Sequence, residues 1–177
     1  NTENDESNIG ILIDGQTAYA SVYDQLANNY DVSLFPIPEN VSAESVGLVK
    51  GKVIVEDGND KGCDIKLYAK KAKTSVTYSS NVYDGEFVLS LVEKERYLMK
   101  IEKEGYEFCA SFIDVNDTVE NLNFSISQLI GGESYYLPNI VFDESNSLTD
   151  ESLEILNEFI LYLKSSRFRI EIFAPGN

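Results

Sequence analysis

Histidine is absent from this sequence, and with it go the commonest general base and the commonest transition-metal ligand. Basic residues are scarce: fourteen lysines and arginines stand against thirty acidic residues, a formal net charge of −16. A surface that acidic repels phosphate backbones and anionic lipid, so neither nucleic acid nor a membrane surface is an expected partner. Long apolar runs are missing too. None approaches the roughly 20 residues that a bilayer-spanning helix needs, so no direct membrane span is expected. No signal peptide is visible, and the chain opens on Asn1 rather than methionine; the expectation is a processed or excised piece. Cysteine occurs only at Cys63 and Cys109, far apart and without metal-site spacing. Two buried, unpaired small hydrophobes is the plainer reading, and pairing in an exported protein is the other.

What the sequence does have is alternation. From Val82 to Phe112, three short runs place apolar residues two apart: Phe87, Leu89, Leu91; then Tyr97, Met99, Ile101; then Phe108, Ala110, Phe112. Period two puts each trio on one face of a pleated strand. Asp84-Gly85, Glu93 to Glu95 and Glu104-Gly105 supply the breaks, glycine tolerating the positive φ of tight turns. The expectation is three antiparallel strands sharing one apolar face at the centre of a sandwich.

Around that centre the chain reads as follows. Residues 1–8 are polar and acidic, an end expected to fray. Ile9 to Phe35 reads as strand, Asp14-Gly15 turn, strand, polar loop, strand. So small a sheet is marginal alone; either it docks on the later sandwich or it is the torn edge of a larger sheet domain. Pro36-Ile37-Pro38 stops it, and 39–46 is a linker. Val49, Gly51, Val53 and Val55 then alternate with Lys50, Lys52 and Ile54. The turn cluster 57–62 has Asp57, Asn59 and Gly62 at calcium-loop positions, but Lys61 and Tyr68 fall where acidic ligands are needed, which excludes that site. Cys63 to Lys70 and Val119 to Leu129 are further strands. Lys70, Lys71 and Lys73 read as solvated lysines at a sheet edge. After Gly131-Gly132, residues 135–142 are strand-like, 149–164 helical and 168–173 strand-like. Thr149 is the expected N-cap, with Asp150 and Glu151 in the first turn, and Leu153, Leu156, Phe159, Ile160 and Leu163 form the expected apolar stripe.

Three stretches resemble known families. G-x-V near Gly51, Y-D-G-E-F-V-L-S-L at 83–91, Y-L-M-K-I at 97–101 and E-G-Y-E-F at 104–108 resemble the carboxypeptidase regulatory-like domain, a transthyretin-like antiparallel β-sandwich here spanning 47–129. The name implies no peptidase chemistry. G-E-S-Y-Y-L-P-N-I-V-F-D-E-S-N-S-L-T-D-E-S at 132–152, with R-I-E-I at 169–172, looks like the start of an OmpA-like peptidoglycan-associated domain, a partial β-α-β segment over 133–177. D-G-Q-T-A-Y-A-S and Y-D-V-S-L-F-P-I-P, within 1–38, look like the last hairpin of a TolB-type β-propeller. In that order the pieces resemble large periplasmic proteins of Bacteroidetes, some of which serve type IX secretion or gliding machinery as an anchor to the cell wall. The resemblance implies a mainly β chain that is periplasmic and outer-membrane associated, with envelope or secretion-system proteins as partners. Both ends are then expected to cut through neighbouring domains.

The OmpA-like resemblance also implies a binding site for the wall peptide. Asp143 matches a family position near that pocket, or else is a carboxylate ending a strand. Asn177 stands where the family's aspartate grips the ammonium of the peptide's diamino acid. A charge-assisted contact is roughly twice as strong as a neutral one, which counts against peptidoglycan binding by this piece.

Catalytic pairings are not evident. Neither cysteine has an activator, and Glu93, Glu95, Glu102, Glu104 and Glu107 suit solvent-facing strand positions and turns better than an acid–base dyad. No enzyme activity, cofactor or metal is expected. Tyr78, Tyr83, Tyr135 and Tyr136 suit core and interface packing, or alternatively an aromatic sugar-binding surface. Asp117-Thr118-Val119 resembles the O-glycosylation site of Bacteroidetes periplasmic proteins, with Thr118 as acceptor; an ordinary loop threonine is the other reading. The sequence points to a non-enzymatic envelope scaffold or docking module, with a carbohydrate-binding sandwich as the alternative.

Overall fold

The computed structural model describes residues 6–24, 26–56, 60–116, 120–166 and 171. The described chain is mainly β. Its strands are Glu6–Ile11 (β1), Thr17–Asp24 (β2), Asn29–Pro36 (β3), Val46–Val55 (β4), Asp64–Ala69 (β5), Ser75–Ser79 (β6), Glu86–Val92 (β7), Arg96–Glu102 (β8), Cys109–Asp114 (β9) and Glu120–Ile126 (β10); its α-helix is Asp150–Ser165 (α1). They form three sheets, ordered β1–β2–β3, β10–β4–β7 and β6–β5–β8–β9. Two compact units result, Asn1–Gly51 with Val88–Glu95 and Asp114–Leu122, and Lys52–Phe87 with Arg96–Ile113 and Asn123–Asn177. Strands β4, β7 and β10 each pass from one unit into the other.

In the first unit, β1, β2 and β3 form an antiparallel meander. Asp14 organises the first turn: Oδ1 accepts from the amides of Gln16 and Thr17, and Oδ2 accepts from the Thr17 hydroxyl. Asp24 does the same for the second, accepting from Leu26 and Ala27. Strand β1 begins at Glu6, inside the stretch expected to fray, because its pairing with Val22 extends the ladder past the apolar residues.

The second unit is organised by β5 and β8. Their register sets Leu67 against Met99 and Ile65 against Ile101. All four are essentially solvent-free, each contributing about 1.5–3 kcal/mol by burial. The opposite face of the same sheet carries Tyr68 against Leu98 and Lys66 against Lys100. On that side Leu98, Phe108, Ala110 and Ile155 form a second core, flanked by Tyr68, Phe112, Leu137, Ile140, Phe159 and Tyr162. Helix α1 therefore covers the four-stranded sheet directly.

Several expectations change here. The trios of β7 and β8 are buried as their alternation requires, but β7 belongs to a different sheet from β8. Phe108 and Ala110 join the helix-facing cluster with Leu98 rather than the Met99 face. Period two reveals that a strand has an apolar face but not which neighbour meets it. Strand β6 carries no such signal: its residues stay largely exposed on a sheet edge. Residues 135–142 do not form a strand. Pro138 lacks an amide, Asn139 adopts φ 64°, and only Phe142 makes a bridge, to Leu148. Leu137 and Ile140 instead pack on the helix-side core.

Candidate functional site

Of the residues singled out in the sequence, Asp143 lies within the described chain, while Thr118 and Asn177 lie outside it. Asp143 is exposed and occupied with its own turn. Its Oδ1 accepts from the amides of Ser145 and Ser147, at 2.8 and 2.9 Å, and from the Ser145 hydroxyl at 2.7 Å. These donors hold its carboxyl below the usual aspartate range, the Ser145 hydroxyl most of all. The turn closes through the Asp143 amide, which donates to the Ser147 carbonyl. Asp143 thus positions the approach to α1.

The entry to α1 is bonded throughout. Thr149 caps the helix as expected, its side chain accepting from the Ser152 amide. Ser152 is buried; its hydroxyl accepts from the Val141 amide at 2.7 Å and donates to the Val141 carbonyl at 3.0 Å. Further along, three acidic residues on one side of the helix meet two basic residues of β8 and one in the turn after β5. Arg96 pairs with Glu151 at 2.6 Å, Lys70 with Glu154, and Lys100 with Glu158 at 2.7 Å. Positions 151, 154 and 158 fall on one helical face, and Arg96 and Lys100 point the same way from β8. Lys70 read as a solvated edge lysine; it sits in the turn just after β5, and its ammonium is taken up by Glu154 of the helix. Arg96 also lies over the Phe112 ring, 5.1 Å from its centroid.

The cysteines are both free and buried. Burial pushes the Cys109 thiol up to about 11, with Glu107 adding to the shift. Burial also raises Cys63, against the pull of Lys103. A thiol held protonated is a poor nucleophile. Among the described residues no group of three histidine, cysteine, aspartate or glutamate side chains is placed to hold a metal, and no helix is long and apolar enough to cross a membrane. The four tyrosines differ: Tyr83 and Tyr136 are widely exposed, Tyr78 is half-buried in β6, and the Tyr135 hydroxyl accepts from the Ile130 amide and donates to the Gln128 carbonyl.

The meander of the first unit carries an open apolar surface. Register places Tyr19 against Leu34, Ser21 against Val32 and Tyr23 against Tyr30, all on one face. Tyr30, Val32 and Leu34 are 62, 69 and 63% exposed. The Tyr23 and Tyr30 rings meet at a tilt of 54°, 5.1 Å between centroids.

No protein-family model matches this chain, and no curated protein matches it either.

Proposed function

We propose that the chain is a non-enzymatic scaffold or docking module of the bacterial periplasm, associated with the outer membrane. In this reading 47–129 is a transthyretin-like sandwich acting as a rigid spacer. The 133–177 segment is the start of an OmpA-like region, and the chain takes part in joining a secretion or outer-membrane complex to the cell wall. The observation that carries the docking role is the open apolar face of the meander, since contiguous apolar surface of this kind marks an interaction site. The strand-rich block from β4 to β10 and its clamped helix support the spacer role.

Affinity capture from periplasmic extract of the encoding organism, read by mass spectrometry, tests the assignment. Recovery of outer-membrane or secretion proteins is the expected result. Fractionation of the native protein with the cytoplasm, or recovery of no envelope protein, counts against it. The carbohydrate-binding alternative has the exposed rings of Tyr83 and Tyr136 in its favour; glycan-array binding lost on their change to alanine is its test.

A further inference from the structure

Strand β3 is an edge whose one charged side chain is Asp31. It pairs with β2 without interruption from Thr17 opposite Pro36 to Asp24 opposite Asn29, and among the described residues the sheet ends there. Its other edge behaves differently: β1 breaks register between Ser7 and Gly10, where Asn8 takes φ 54°. Bulges, lysines and internal prolines are the usual protections of a free edge. β1 has a bulge. β3 has no lysine, no irregularity in its ladder, and a proline only at its last residue. A long, straight edge beside an exposed apolar face is the geometry by which sheets accept an added strand.

Charge indicates what that strand is. Eight acidic residues and no lysine or arginine precede Lys50 in the sequence. The meander and its turns therefore carry negative charge without internal compensation, unlike α1, whose glutamates are paired with sheet cations. A second copy offering the same edge would bring two uncompensated acidic sheets together, which opposes self-pairing.

We infer that β3 is a docking edge for an extended segment of a different polypeptide, one that alternates basic with apolar residues. Its backbone extends the β1–β2–β3 ladder, its apolar side chains join Val32 and Leu34 on the open face, and its cations approach Asp31 and the acidic turns. This names a partner chemistry for the docking module proposed above, but it stands on the meander alone and does not depend on the cellular compartment.

The test uses the full chain and labelled peptides of about ten residues, the length a strand of this size can pair. One alternates lysine with valine and threonine; a second has the same composition with its lysines blocked together; a third replaces lysine with glutamate. Fluorescence anisotropy and amide hydrogen exchange are the readouts. The alternating basic peptide is expected to bind, to protect every second amide of β3, and to weaken by about tenfold between low and high salt. Val32→Lys, at an exposed position and so compatible with folding, is expected to weaken it by about tenfold; Asp31→Asn should flatten the salt dependence. Equal binding of the blocked peptide, protection away from β3, or no binding at millimolar peptide would each overturn the inference. So would a concentration-dependent dimer abolished by Val32→Lys, which would make a second copy the occupant. Loss of peptide binding alongside successful envelope capture removes the edge assignment and leaves the scaffold reading intact; the reverse result removes the compartment and leaves the edge.

Discussion

The hydroxyl of Tyr162 donates to the main-chain carbonyl of Tyr106 at 2.6 Å, tying the last turns of α1 to the segment that leads into β9. The ring sits 5.6 Å from Phe108 and 6.4 Å from Phe159, so Tyr162 joins a polar tether to an aromatic cluster. Tyr162→Phe removes the tether and keeps the ring. A loss of about 1 kcal/mol is expected in urea unfolding, with an unchanged m-value. A neutral result would mean that packing alone holds this end of the helix.

Helix docking should also respond to salt through its ion pairs. Lys100 and Glu158 are both partly buried, and Lys100 lies 3.5 Å from Glu102 as well. A double-mutant cycle with Lys100→Met and Glu158→Gln should return a coupling of roughly 0.5–1 kcal/mol that shrinks in high salt. A coupling indistinguishable from zero in low salt would mean that the pair lies close without energetic weight.

Gly85 and Gly105 share nearly the same backbone angle, φ 78° and 79°, and differ in what surrounds them. A Cβ at Gly85 would lie 2.1 Å from the Val53 carbonyl oxygen, whereas one at Gly105 meets nothing within 4 Å. Gly105→Ala should cost about 1 kcal/mol, the left-handed conformation alone. Gly85→Ala adds a collision with main chain and should cost at least ~2 kcal/mol. Comparable thermal shifts for the two variants would contradict the packing described between the β7 turn and β4.

Alkali should destabilise the fold through Cys109. Its thiol is raised from an ordinary 9.0 to about 11 by burial, so the fold favours the protonated form. That contribution is complete below the unfolded value and is lost as pH climbs through about 11. Cys109→Ala should flatten the alkaline limb of a stability–pH curve. Labelling by a thiol reagent should be slow in the native protein and reach both cysteines on unfolding.

Asp143 gives the opposite sign. Its carboxyl is held low by the Ser145 hydroxyl and the Ser147 and Ser145 amides. The turn's stabilisation is therefore present above the ordinary aspartate range and is lost as pH falls through the lowered value. Carboxyl chemical shifts should show that midpoint, and the amide resonances of Ser145 and Ser147 should move with it. Amides that fail to follow the carboxyl would remove Asp143 from its place in the turn.

Alternation and capping made much of this fold readable. Val49, Val53 and Val55 are buried while Lys50 and Ile54 are exposed, as period two requires. Thr149 caps α1 one residue before the helix begins. What stayed hidden was partnership. Nothing local to Phe108 or Ala110 says that they face a helix more than forty residues later, and nothing local to Lys70 names Glu154. The apolar stripe of α1 was rotated for the same reason: Phe159 packs on the sheet as expected, but with Ile155 and Tyr162, while Leu153 and Ile160 remain 45% exposed. At the site, Asp143 read as a ligand or a strand end because its hydrogen-bond partners are serines, whose role in a turn depends on geometry rather than type.

Ser152 has a consequence beyond capping. The helix carries a second apolar side, through Leu153 and Ile160, besides the one it buries. At about 100° per residue, Leu153 and Ile160 lie more than about a third of a turn from the middle of the side formed by Ile155, Phe159 and Tyr162, so hydrophobicity alone offers the helix a second rotational setting. The paired bonds from the Ser152 hydroxyl to Val141 act as a key in a slot. Ser152 thus locks the start of the helix in the rotation that the ion pairs and the Tyr162 bond hold further along, and Leu153 and Ile160 are left in water.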